Sequence, residues 1–104
     1  MNPKIGIDNA RIQKLCEKWN ILEMSLFGSV LRDDFGPDSD FDVLVTFAPG
    51  TRYSLFQLYR MQREMKEILG HEVDLVERSE VETSDNAIRR RHVLQSAQRI
   101  YARQ

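Results

Sequence analysis

Gly28-Ser29-Val30-Leu31-Arg32-Asp33-Asp34-Phe35-Gly36-Pro37-Asp38-Ser39-Asp40-Phe41-Asp42 is the stretch on which the reading of this chain turns. It follows a short apolar run, Ile21 to Phe27, which suits a buried strand closed by a tight turn at Gly28. Glycine lets the backbone approach a ligand closely, and the N–H groups that open a helix favour an anion such as phosphate. The Ser29 hydroxyl can bond a phosphate oxygen. Ser29 to Asp34 has room for one or two helical turns, and Asp34 to Ser39, with Gly36 and Pro37, reads as a loop. Phe41 to Phe47 then alternates as a strand, with Phe41, Val43, Val45 and Phe47 forming its apolar face.

Asp40 and Asp42 are two residues apart, so their side chains leave the same side of that strand, roughly 6–7 Å apart at Cα. Two carboxylates on one face repel and need compensation. Mg²⁺ supplies it, because it prefers carboxylate, water and substrate-phosphate oxygens. Two such ions about 4 Å apart can clamp an in-line phosphoryl displacement. A third carboxylate, Asp74, lies in Val73-Asp74-Leu75-Val76, where a strand would ordinarily carry an apolar residue. If the two strands are neighbours, three carboxylates converge.

Outward from this centre, Asp8 reads as the N-cap of a first helix with Ile12, Leu15, Cys16 and Trp19 on its core stripe. Ile7 and Ile12 stand where a hydrophobic staple would bracket the cap. Ser54 to Leu69 reads as a second helix. It opens with a Ser54/Gln57 capping box and stops at Gly70, and its expected buried stripe is Leu55, Leu58, Tyr59, Met65 and Leu69. Glu72 to Val76 reads as a third strand, Asn86 to Leu94 as a further helix, and Ile100 to Ala102 as a last strand or turn. This order gives an α/β protein of the α+β type, a mixed β-sheet flanked by helices.

With 104 residues, 41% hydrophobic and 30% charged, the chain is expected to form a single domain, residues 1–104. Fifteen Lys and Arg stand against 16 Asp and Glu, so bulk attraction to nucleic acid or an anionic membrane is not expected. One cysteine, Cys16, excludes an internal disulfide framework and a cysteine zinc cluster. No apolar run reaches the ~18 residues of a membrane span, and no signal-peptide pattern opens the chain. The expected location is cytoplasmic. Arg89, Arg90, Arg91 and His92, with Arg99 and Arg103, form a basic C-terminal part. It reads either as a solvated face or as a binding face for an anionic group. Asp33, Asp34 and Asp38 read as loop and turn residues rather than ligands.

Gly-Ser, ten residues, Asp-x-Asp and a later strand aspartate together resemble the signature of the polymerase-beta-like nucleotidyltransferase superfamily. Ser39-Asp40-Phe41-Asp42-Val43-Leu44-Val45, Gly70 to Val76 and the tail ending Ile100-Tyr101-Ala102 look like its minimal nucleotidyltransferase (MNT) group. The resemblance implies the polymerase-beta-like fold, with ATP bound at the sheet edge near Gly28 and Ser29. Those two residues would hold the triphosphate and Arg32 would contact phosphate. Asp40, Asp42 and Asp74 would carry two Mg²⁺ ions, and Asp74 would help deprotonate the attacking hydroxyl. It further implies an antitoxin that transfers AMP to a hydroxyl, a tyrosine, of a partner HEPN-type toxin. The alternative is a catalytically inactive module of the same fold that neutralises its partner by binding alone. Transfer to a small molecule such as an aminoglycoside ranks below both, because those enzymes add a substrate-binding domain for which 104 residues leave no obvious room. Many minimal members read Gly-Ser-x-Ala-Arg-Gly; here Leu31 and Asp33 replace the small residues, and Asp33 adds negative charge near the phosphates.

Overall fold

The computed structural model describes residues 7–28 and 40–103. The helical turns expected after Ser29, and the loop from Asp34 to Ser39, lie outside the described residues. Helix α1 (Asn9–Lys18) leads into β1 (Ile21–Phe27), and β2 (Phe41–Phe47) follows. Helix α2 (Leu55–Leu69) connects β2 to β3 (Val73–Glu77). Helices α3 (Arg78–Glu82) and α4 (Ala87–Ser96) then precede β4 (Gln98–Ala102). The four strands form one mixed sheet in the order β3-β2-β1-β4. β1 is antiparallel to both β2 and β4, while β2 and β3 run parallel across the α2 crossover.

Local chemistry fixes the helix ends. Asp8 accepts a hydrogen bond from the Arg11 N–H at 3.2 Å, and Ile7 of the staple packs against the core. At α2 both halves of the capping box form, with Ser54 Oγ accepting from the Gln57 N–H at 3.2 Å and Gln57 Oε1 accepting from the Ser54 N–H at 2.9 Å. Gly70 ends the helix at φ +75°, the left-handed conformation that costs glycine least.

The buried stripe of α2 differs from expectation. Met61, Met65 and Leu69 are buried, with Leu58 and Ile68 partly so, whereas Leu55 and Tyr59 are 86% and 58% exposed. Leu55 and Tyr59 lie on the order of 100° around the helix from the Met61–Met65 line, at about 100° per residue. Both lines are apolar at helical spacing, and only the docking angle of the helix decides between them.

α1 and α2 cover one face of the sheet. There Ile12, Leu15, Cys16 and Trp19 pack with Met24, Leu26, Phe41, Val43, Val45, Met61 and Met65. The other face is also covered, which the alternation of β2 did not foretell. Leu44 is 2% exposed and packs with Phe27, Val81 and Val93 beneath α3 and α4. α3, which was not expected, is a single short turn directly after β3, and it contributes Val81 to this second cluster.

The basic tail is in part structural. Arg90 Nη1 donates to the Ser84 carbonyl at 2.7 Å, Arg99 pairs with Glu23 at 3.2 Å, and Arg103 Nη2 donates to the Cys16 carbonyl at 3.4 Å. Of the six arginines and histidines singled out in the tail, Arg99 and Arg103 therefore hold the C-terminal strand to β1 and α1, while Arg90 braces the α3–α4 connection.

Candidate active site

The register of the sheet brings the candidate residues into a row. Phe27, the last residue of β1, opposes Asp42 on β2, and Asp42 in turn opposes Asp74 on β3. Neighbouring strands lie about 4.8 Å apart, and residues in register share a face. That face is the one carrying Phe27, Leu44 and Val76, opposite the α1–α2 layer. Asp40 stands one residue before β2 and is exposed, and by alternation it leaves on the same side as Asp42. The Phe41 N–H donates to the Glu72 carbonyl at 2.8 Å, which ties the start of β2 to the approach of β3. On the α2 side, the Phe41 ring meets the His71 ring at 5.1 Å.

Gly28 follows Phe27 directly, at φ +73°. A Cβ placed there would overlap Asp42 Oδ2, and would lie 3.2 Å from the Asp42 carboxyl carbon. The turn therefore presses against the carboxylate, which only a residue without a side chain permits. Gly28 directly follows β1, an inner strand, and so lies away from the edge strands, whereas the nucleotide was expected at the sheet edge. Only Asp74 of this row is on an edge strand. Ser29 and Arg32 lie outside the described residues.

Among the described residues, which include Asp40, Asp42 and Asp74, no three His, Cys, Asp or Glu side chains are assembled as a metal-holding group, so the expected convergence of three carboxylates is not formed here although β2 and β3 are neighbours. The donor chemistry nonetheless fits Mg²⁺. All candidate ligands are oxygens, and Mg²⁺ is commonly held by one or two carboxylates together with waters and substrate phosphates. The Asp42–Asp74 register pair supplies two carboxylates, and the bare backbone at Gly28 lets the Asp42 carboxylate lie directly against the turn.

Residues 11–98 match the nucleotidyltransferase domain family. The chain belongs to that family. Within it, the chain is 32% identical over 78 residues to the protein adenylyltransferase MntA of Thermococcus cleftensis, covering 75% of this chain and 77% of that one. A Methanocaldococcus jannaschii protein bearing the name of a protein adenylyltransferase is 41% identical over 59 residues, 57% of this chain. That match spans 61% of the length of the relative. Among solved structures, a toxin–antitoxin complex with AMP-PNP aligns with a TM-score of 0.68 at 19% identity, over 94% of this chain and 76% of that chain. An MNT antitoxin in complex with the tri-AMPylated HEPN toxin of Shewanella oneidensis aligns with a TM-score of 0.59 at 18% identity, over 91% and 70%. The fold is thus the minimal nucleotidyltransferase fold expected from the motif.

Among the described residues, no helix is long and apolar enough to cross a membrane.

Proposed function

We propose that this chain, acting in the cytoplasm as a single nucleotidyltransferase domain over residues 1–104, transfers AMP from ATP to a tyrosine hydroxyl of a partner HEPN-type toxin and so serves as its antitoxin. The observation that carries this reading is the register row Phe27, Asp42, Asp74 across three adjacent strands, with the Gly28 turn directly after Phe27 and against Asp42, in a fold whose relatives are named protein adenylyltransferases. The AMP-PNP and the AMPylated toxin found with two structural neighbours support ATP as donor and a protein as acceptor.

In this reading Gly28, Ser29 and Arg32 hold the triphosphate, and Asp40, Asp42 and Asp74 hold Mg²⁺. When bound, the metal supplies charge neutralisation of the phosphates and orientation for in-line displacement. The chain's residues do the rest. The Gly28 turn lets the backbone approach the phosphates. Asp42 and Asp74, fixed by strand register, set the geometry of the reacting groups. Asp74, exposed at the sheet edge, takes the proton of the attacking hydroxyl. A bond forms between the hydroxyl oxygen and the α-phosphorus, the α–β bridging bond breaks, and pyrophosphate leaves. Rate comes from positioning and preorganised charge.

The test is incubation with ATP labelled in its α-phosphate, Mg²⁺ and the product of the neighbouring gene. The expected result is label on a tyrosine of that partner, dependent on Mg²⁺. An unlabelled partner with the wild-type chain overturns the proposal.

A further inference from the structure

Three of the four large hydrophobic side chains exposed among the described residues fall within one turn and a half of α2. They are Leu55, Phe56 and Tyr59, at 86%, 75% and 58% exposure. Isolated exposed apolar residues are ordinary, but a contiguous group is not. Helical spacing places Phe56 and Tyr59 on the side of α2 opposite Met61 and Met65, and Arg60 and Arg63 fall on that same side. Arg52, in the segment leading to the helix, is also exposed. None of these three arginines forms an ion pair with a described residue, whereas Lys66, further along α2, is paired with Glu72. Glu67 is the one exposed acid on this side of the helix.

Beside this face lies a cavity of about 520 Å³, lined by Arg52, Tyr53 and Leu58 and also by Glu77 and Glu80, so the recess itself carries both signs of charge. The surface thus combines two aromatic rings, a leucine, three exposed guanidinium groups, of which Arg60 also acts on Glu64 one turn on, and an adjoining recess. That is the composition of protein–protein hot spots, which favour aromatic residues and arginine and disfavour lysine and glutamate. The α2 face is on the opposite side of the sheet from Asp42 and Asp74.

We infer that the solvent face of α2, centred on Phe56 and Tyr59 and rimmed by Arg52, Arg60 and Arg63, docks the protein acceptor through an apolar surface edged by carboxylates. The acidic character follows from the excess of exposed cations on this face, Arg52, Arg60 and Arg63 against Glu67, and the apolar character from the aromatic pair. This rests on the adenylyltransferase reading for the identity of the acceptor, but concerns its capture rather than the chemistry. A docking face remote from the reacting carboxylates raises the local concentration of the acceptor without occupying the nucleotide site.

The experiment measures affinity for the purified product of the neighbouring gene by calorimetry, at two salt concentrations, alongside binding of a non-hydrolysable ATP analogue. Phe56→Ala with Tyr59→Ala, and separately Arg60→Glu with Arg63→Glu, are expected to weaken the complex by roughly tenfold or more. The arginine pair should also flatten the salt dependence. Analogue binding and far-UV circular dichroism should stay unchanged, because these side chains are exposed. Asp42→Asn should show the reverse pattern: intact docking and no labelling. Loss of labelling activity in every preparation with the docking effect preserved would remove the enzymatic reading and leave the docking face standing. Wild-type affinity in both α2 variants overturns the inference, and so does the absence of a complex with the wild-type chain. Two other results also overturn it: self-association of the wild type abolished by the Phe56→Ala pair, or an RNA oligonucleotide bound through the same residues.

Discussion

Asp42 on β2 and Asp74 on β3 are register partners across the parallel strand pair, on the sheet face away from α1 and α2. Like charges placed directly opposite in a sheet oppose folding by a few tenths of a kcal/mol each. The pair brings two like charges together, and in the proposed reading both serve the chemistry.

Replacing Asp74 with Asn should therefore split stability from activity. The metal-free protein is expected to gain a few tenths of a kcal/mol in urea unfolding. Partner labelling should fall roughly 100-fold or more, because several kcal/mol of charge stabilisation are lost. The double variant Asp40→Ala, Asp42→Ala should lose labelling while keeping its cooperative unfolding transition. A variant of that kind that still neutralised the partner in cells would favour action by binding alone.

Gly28→Ala should be damaging for two reasons. Its backbone sits at φ +73°, where an L-residue costs about 1–2 kcal/mol, and its Cβ would displace the Asp42 carboxylate. Thermal unfolding should report the first effect. A fall in labelling beyond that expected from the unfolded fraction would report the second.

Glu64 joins α1 to α2, accepting from Lys18 Nζ at 2.9 Å and from the Trp19 indole N–H at 3.1 Å. Burial pushes its carboxyl up, but the hydrogen bonds from Lys18 and Trp19 and the charges of Lys18 and Arg60 outweigh that and hold it below its ordinary 4.5. A depressed carboxyl adds stability that is complete above its unfolded value and is lost as pH falls through its folded value. Glu64→Gln should accordingly lower stability at pH 7 and flatten its decline below pH 4.5, as read by urea midpoints across that range. The expected effect is small, since the pair is partly solvent-screened.

Cys16 is fully buried, and burial pushes its thiol up to about 12. Only the thiolate reacts appreciably. A thiol reagent at pH 8 should leave the native protein unmodified, and its slow reaction should track unfolding, accelerating with urea.

Much of this architecture was legible from single residues. Asp8, Ser54, Gln57 and Gly70 mark helix ends because capping is local chemistry, satisfied within a few residues of sequence. The Asp40/Asp42 spacing and the unexpected Asp74 in a strand gave the site its candidates, and the sheet register then set Asp42 beside Asp74. What the sequence concealed was orientation. Leu55 and Tyr59 are as apolar and as regularly spaced as Met61 and Met65, so the rotation of α2 is decided by the sheet it meets. Leu44 lay on what read as the polar side of β2, and its burial depends on Val81 and Val93, well downstream. The structural part of the arginine tail was hidden because Arg99 and Arg103 find partners far along the chain, at Glu23 and Cys16.

The two layers flanking the sheet are unequal in depth. Thirteen buried side chains unite α1, α2 and the strands on one side, while among the described residues four hold α3 and α4 on the other. α4 buries only Val93 of its ten residues. Cooperative opening free energies scale with such burial, so α3 and α4 form the weaker folding unit. In native-state hydrogen exchange their amides should exchange through sub-global opening at denaturant concentrations where α1 and α2 remain protected. The aspartate row therefore lies on the breathing side of the molecule, anchored from beneath by a half that stays closed.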